Sequence, residues 1–281
     1  MCLAELRRHY HRGICERILA APEGVPNIAD SASKASVKIA RGVVDRLPYP
    51  LAQQPPSGQT AGRLFEEATS AFLESAFALL QHLRPGEWRF SVNQDISMFE
   101  QYQHLAALRR ALAENKELAA ALGGDYLVAP DIVVSRCPVT DAEINRFRRV
   151  VVEDDPYCRL APLRSKNRPA PGLILHASIS CKWTIRSDRA QNIRTEALNL
   201  IRNRKGHLPH AVAVTAEPLP TRLASLALGT GDLDCVYHFA LTELREAVED
   251  TGEEDQLDML LGMVNGRRLR DISDLPLDLA T

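Results

Sequence analysis

Along the first third of the chain the apolar residues recur at the spacing of a helix face. Residues 3–20 and 34–47 predict two helices, parted by a loop that holds Pro22, Gly24, Pro26 and Asp30. After a proline-rich connection at 48–60, which presents Gln59 at its end, residues 61–83 predict a long helix. Phe65, Ala68, Phe72, Ala76 and Leu79 mark one apolar stripe of it, and Leu73, Phe77 and Leu80 mark a second in phase with Glu66. Glu67 aligns with Ser70, Ala71 and Glu74 instead, so Glu66 turns inward and Glu67 faces solvent. Residues 87–93 predict a strand, and 96–113 and 115–122 predict Ala/Leu-rich helices.

The period then changes from 3.6 to 2. Residues 125–136 read as a strand pair in which Asp131 opens a β-branched run directly after Pro130. Leu173 to Ile185 reads as a strand: Leu175, Ala177, Ile179, Cys181 and Trp183 share one face, while His176, Ser178, Ser180 and Lys182 share the other. Between the two, 137–171 holds a short helix near 141–149 and an otherwise irregular, proline-punctuated insertion. Ser187 and Asp188 are capping types at the start of an amphipathic helix, on which Ile193, Ala197, Leu200 and Ile201 form the apolar face and Glu196 borders it. Strands at 210–215 and 232–239 and helices at 220–228, 241–250 and 253–264 complete an α/β pattern.

Composition is globular, with 45% hydrophobic and 25% charged residues in 281, and we expect one domain over 1–281 with a helical decoration at about 1–60. A net charge of −2 is unpromising for a nucleic-acid binder until it is located. From Lys182 to Lys205 seven basic residues face two acids, and from Glu243 to the end eleven acids face four arginines. A local basic stripe serves phosphate contact, because neutralised phosphates release counterions; charge alone does not separate that from a solvated helix face. Six cysteines at 2, 15, 137, 158, 181 and 235 form no CxxC pair, which suggests neither a zinc site nor a disulfide framework. No apolar run is long enough for a membrane span and the N-terminus turns charged early, so a cytoplasmic protein is expected.

Several residues carry two readings at this level. Asp30 is a helix-capping type or a ligand contact, and an inward Glu66 is half of a core salt bridge or a group awaiting a cation. Arginine donates twice to guanine and aspartate accepts from cytosine, so the Arg186-Ser187-Asp188-Arg189 run at a helix start is matched to G·C pairs.

Blocks at 57–67, 125–136, 176–210, 213–241 and 264–280 resemble the NgoMIV-like type II restriction endonucleases, a CCGG-cutting group of the PD-(D/E)XK nucleases. The run HASISCKWTIRSDRAQN is the specific part of the match. The resemblance implies a restriction-endonuclease-like core, a central mixed β-sheet flanked by helices. It implies that Asp131, Lys182, Glu196, Glu66 and Ser180 are catalytic, and that Mg²⁺ is held by Asp131, the Cys181 carbonyl and Glu196. The acid usual two residues before the lysine is replaced by Ser180, and Glu196 stands in for it. Arg186, Asp188 and Arg189 would read the CCGG core, Arg222 with Asp30 the outer G·C pair, and Gln59 the minor groove. The activity implied is a double-strand cut of GCCGGC after the first G, by a dimer of dimers working beside a cognate DNA methyltransferase. Asp131 and Lys182 lie 51 positions apart, longer than the family suggests. The competing class is a sequence-specific DNA-binding protein that does not cleave; retained acids that repel DNA argue against it.

Overall fold

A computed structural model describes residues 1–117, 120, 128–154, 156–164, 172–185, 187–229 and 231–281, the side chains of 187–189 excepted. The chain opens with α1 (Leu3–Arg17), whose first turn is closed by Glu5 accepting the Cys2 N–H at 2.7 Å. Next come α2 (Lys34–Asp45) and α3 (Gly58–Leu79), each capped by a serine, Ser33 and Ser57, that accepts an N–H three residues on. The Ser57 cap starts α3 before the apolar stripe begins, so Gln59 lies in its first turn instead of ahead of it. There follow β1 (Trp88–Val92), α4 (Gln103–Glu114), β2 (Ile132–Arg136), α5 (Asp141–Ile144) and β3 (Ile174–Lys182). The remainder is α6 (Ser187–Asn203), β4 (His210–Thr215), α7 (Pro220–Ala227), β5 (Cys235–His238), α8 (Leu241–Glu249), α9 (Glu254–Asn265), β6 (Leu269–Asp271) and α10 (Leu275–Asp278).

The six described strands form one mixed sheet in chain order, with β1 to β3 antiparallel and β3 to β6 parallel. This is the expected mixed sheet flanked by helices. β3 stands where the pairing changes sense, and it is buried on both faces. On one side Ala177, Ile179 and Cys181 join the large core with Phe65, Phe72 and Leu73 of α3 and Ile14 of α1. Phe65 meets Trp183 edge to face at 5.3 Å, which docks α3 against the end of β3. On the other side Leu175 and Val133 join a smaller core with Phe99, Tyr102 and Leu200 of α6. The helices at 1–60, expected as decoration, are built into the large core through Ile14, Leu19, Ile39 and Val43.

Strict alternation fails along β3 at one residue. Val134 pairs with Ala177 and Ser135 with Leu175, so His176 is the extra residue of a bulge. The faces exchange there: His176 packs on Trp88 at 4.9 Å and leaves the row of Ser178, Ser180 and Lys182. The helix expected over 96–113 begins only at Gln103. Two 3-10 turns precede it, since Asp95 accepts the Ser97 N–H at 2.8 Å and the Leu173 carbonyl takes the Glu100 N–H at 2.9 Å. Within 125–136 the described residues hold one strand, and much of 115–127 lies outside the described residues. The helix near 141–149 stops at Ile144, where the Asn145 side chain accepts the N–H groups of Val150 and Val151 at 2.8 and 2.9 Å. The insertion is anchored by buried Arg164, which donates to both Asp141 carboxylate oxygens at 2.6 Å. β6 and α10 are short elements that periodicity did not reveal.

Candidate active site and DNA-reading cleft

Pro130 and the β-branched run after it bring Asp131 to the start of β2, one residue before Ile132, and its carboxylate takes over where the ladder stops. Asp131 Oδ2 accepts the backbone N–H of Cys181 at 2.7 Å and the Lys182 Nζ at 2.6 Å. Its carbonyl accepts the N–H of Asn93 at 3.0 Å. The residue is thereby fixed from two strands, and among the described residues its Oδ1 makes no hydrogen bond. Lys182 reaches this position from the row that also holds Ser180. Ser180 is buried and donates to Glu196 Oε2 at 3.2 Å, which ties α6 to β3 beside the Asp131–Lys182 pair. Glu196 stands on the α6 face nearest the sheet, one turn before Leu200. Arg194, its neighbour on the helix, donates instead to the Ser225 carbonyl at 2.6 Å.

Glu66 arrives from α3. It is half-buried and lies near the side chain of Asn93, which opposes the rise of its pKa. Glu67, one residue on, pairs with Arg63 at 2.5 Å on the outer side of the helix. Asn93 therefore meets two members of the candidate site, bonded to Asp131 through its backbone and near Glu66 with its side chain. It does so at φ 52°, a left-handed conformation that asparagine tolerates better than most residues. Periodicity gave no sign of Asn93's role. The available signal was an asparagine in the Asn-Gln-Asp run that ends a strand.

The electrostatics show too much negative charge for one lysine. Burial raises the Glu66 carboxyl to about 7, with Asp131 adding to the rise and Lys182 and Asn93 opposing it. Burial likewise raises Glu196, with Lys182 opposing and Asp131 adding. Burial works against the Lys182 ammonium, but Asp131 outweighs it and holds Lys182 above the usual lysine value. Lys182 is thus a fixed cation at neutral pH, suited to orienting an anion or a water molecule and unsuited to accepting a proton. Among the described residues no three His, Cys, Asp or Glu side chains form a ready metal cluster. What the site offers is an Asp131 oxygen without a hydrogen bond among the described residues, a nearby backbone carbonyl and two carboxylates whose pKa burial raises. That donor set is all oxygen and short of positive charge, which fits a hard divalent ion that keeps several waters.

Beyond Ile185 a cleft of about 960 Å³ opens, lined by Asp30, Thr184, Gln191, Arg194, Thr221 and Arg222 among others. Arg222 and Asp30, far apart in sequence, form an ion pair there. Arg186 and the side chains of Asp188 and Arg189 lie outside the described residues; the backbone places 188 and 189 in the first turn of α6, beside this cleft. Gln59 stands apart from the cleft, exposed on α3. It precedes Glu66 by seven residues, so the two share a helix face about 10 Å apart. One buried acid escaped sequence reasoning altogether: Glu217, between β4 and α7, accepts the Ile185 N–H at 2.9 Å.

Residues 10–281 match the family described as the NgoMIV restriction enzyme. The type II restriction enzyme NgoMIV of Neisseria gonorrhoeae is 53% identical to this chain, over 98% of this chain and 97% of that protein.

Proposed function

This chain belongs to the NgoMIV restriction enzyme family, and we propose that it makes double-strand cuts in DNA at GCCGGC, after the first G, leaving four-base 5′ overhangs. The observation that carries the proposal is the Asp131–Lys182 pair at 2.6 Å, with Glu196 and Glu66 beside it and an arginine-bearing cleft next to it.

Mg²⁺ would be held by Asp131, the Cys181 carbonyl and Glu196, and when bound it would supply charge stabilisation at the phosphate and a more acidic water. Lys182, positively charged and fixed by Asp131, orients the attacking water and stabilises charge developing on the phosphate oxygens. Ser180 holds Glu196 in the place that a strand carboxylate fills in related sites. Glu66, at about 7, accepts a proton near neutrality and acts on Lys182 or on a water molecule. Arg186, Asp188 and Arg189 read the CCGG core, Arg222 and Asp30 read the outer G·C pair, and Gln59 contacts the minor groove. The Arg222–Asp30 pair supports that reading, since a guanidinium and a carboxylate side by side match the donor and acceptor edges of one G·C pair.

A palindromic target suits two-fold related subunits, and we extend this to a dimer of dimers. A cell that carries such an enzyme needs its own GCCGGC sites protected, so a cognate DNA methyltransferase is the expected companion. No helix among the described residues is long and apolar enough to cross a membrane. We read the chain as one endonuclease domain acting in the cytoplasm. The test is a GCCGGC duplex incubated with the protein in Mg²⁺ and, separately, in Ca²⁺. Cleavage at GCCGGC in Mg²⁺ with binding alone in Ca²⁺ is expected. Binding without cleavage in both, or undiminished cutting in excess EDTA, would refute the mechanism.

A further inference from the structure

Glu217 has no solvent exposure. It follows β4 by two residues and precedes α7 by three, in the run Ala216-Glu217-Pro218-Leu219-Pro220, where an apolar residue would fill the space at lower cost. Its two oxygens are divided between two elements. Oε2 accepts the N–H of Ile185, two residues before α6, at 2.9 Å, and Oε1 accepts the N–H of Leu219, which caps α7, at 3.2 Å. Its own N–H donates to Thr215 Oγ1 at 3.1 Å, which fixes it to the end of β4. Arg222 Nη1 lies 3.9 Å from Oε2, while Nη2 of the same guanidinium pairs with Asp30. Burial raises the carboxyl to about 6, the two backbone amides and Arg222 oppose the rise, and Asp30 adds to it. His238 of β5 also faces this backbone. The carboxylate thus touches both segments that carry the proposed base readers, and none of its hydrogen bonds goes to the Asp131–Lys182 pair.

Resting on the assignment of base readers made above, we infer that Glu217 is a positioning residue that locks the start of α6, which reads the CCGG core, to Arg222 on α7, which reads the outer pair. Recognition of inner and outer base pairs is therefore coupled. When one pair is wrong and its reader disengages, the clamp carries the loss to the other reader.

Binding in Ca²⁺ to four duplexes measures the coupling: GCCGGC, a variant at an inner pair, a variant at the outer pair, and both. For the wild-type protein the penalty of the double variant is expected to fall short of the product of the single penalties by about tenfold. Glu217→Gln keeps the volume but sets an NH2 group against one backbone N–H. It should lower discrimination at both positions by about tenfold and make the penalties multiply. A residue that only holds the fold would weaken binding to every duplex alike, with the ratios unchanged, and that result overturns the inference. Multiplicative penalties in the wild-type protein overturn it as well, and this arm decides the matter even if Glu217→Gln does not fold. Arg222→Ala separates the two levels. Lost outer discrimination there, with Glu217→Gln unchanged, refutes the coupling alone; unchanged outer discrimination in Arg222→Ala removes the base-reader assignment itself and the coupling with it.

Discussion

Two clusters in this molecule are built from the same ingredients, a basic side chain among half-buried carboxylates, and they end in opposite states. At one, Arg7 of α1 donates to both oxygens of Glu243 at 2.9 and 2.7 Å and to both oxygens of Asp271 at 2.8 Å each. Burial pushes those two carboxyls up, but Arg7 outweighs it and holds both below the usual range. At the other, Lys182 binds Asp131 with a single short contact, and burial leaves Glu66 and Glu196 raised. A guanidinium with a planar fork completes its cluster, while one ammonium among three acids does not. In the first cluster the guanidinium balances the charge of both acids; in the second a single ammonium leaves the charge of Glu66 and Glu196 unbalanced.

Removing the cation from each cluster should separate them most sharply. Arg7→Ala leaves two half-buried acids without their guanidinium, Asp271 keeping its bonds to Leu241 and Ser273, and is expected to cost roughly 3 kcal/mol of stability in chemical denaturation, while the folded fraction cuts DNA normally. Lys182→Met, which removes one contact where Arg7→Ala removes four, should lose less stability than Arg7→Ala and lose cleavage by about 1000-fold. A large stability loss with little loss of turnover in Lys182→Met would make its cluster structural after all.

The clusters should also oppose each other in pH. Glu243 and Asp271, with lowered values, stabilise the fold above the ordinary carboxylate range and lose that contribution as pH falls through their lowered values. Glu66, raised from 4.5 to about 7, contributes fully below 4.5 and loses its contribution as pH climbs to about 7, and Glu196 acts in the same direction. Stability in EDTA should therefore decline between pH 5 and 8, and Mg²⁺ should restore more at pH 8 than at pH 5. Urea unfolding at both pH values, with and without Mg²⁺, checks this, and equal restoration at both would contradict it. Cleavage should fall as pH drops through about 7.

A smaller effect distinguishes specific from general DNA contact on α6. Arg189→Ala is expected to lose about 1–3 kcal/mol of discrimination at a core G·C pair, whereas exposed Arg202→Ala should weaken all duplexes alike and reduce the salt dependence. A binding series over single-base variants decides between them. Uniform loss for Arg189→Ala would take it out of the base-reading set.

What was legible beforehand follows a physical division. Periodicity located α8 and α9 nearly to the residue, because each buries one regular face, and β4 as a short apolar run buried almost throughout. It also set Glu66 and Glu67 on opposite sides of α3. It could not reveal the bulge at His176, since one extra residue exchanges the faces without altering composition. Nor could it foresee the 3-10 turns before α4, which are imposed by a contact with Leu173 that is distant in sequence. The candidate site was read from the family resemblance and from two unusual acids, Asp131 at a strand start and Glu196 on an apolar border, and the structure brings both beside Lys182. Asn93 and Glu217 were not, because each acts through backbone groups of residues remote in the chain. A pattern of side chains carries no sign of such bonds.

The central claim is that Glu196, held on Ser180, supplies the acid missing from β3. Glu196→Gln keeps the size and the hydrogen-bonding reach of the side chain and removes its charge. With Glu67→Gln as control, both proteins are assayed on a GCCGGC duplex for cleavage in Mg²⁺ and binding in Ca²⁺. The account predicts that Glu196→Gln loses cleavage by about 100- to 1000-fold with binding retained, and that Glu67→Gln, in an exposed pair with Arg63, is nearly unchanged. Near-wild-type cleavage by a folded Glu196→Gln protein would contradict it and make Glu196 a structural partner of Ser180 and Lys182.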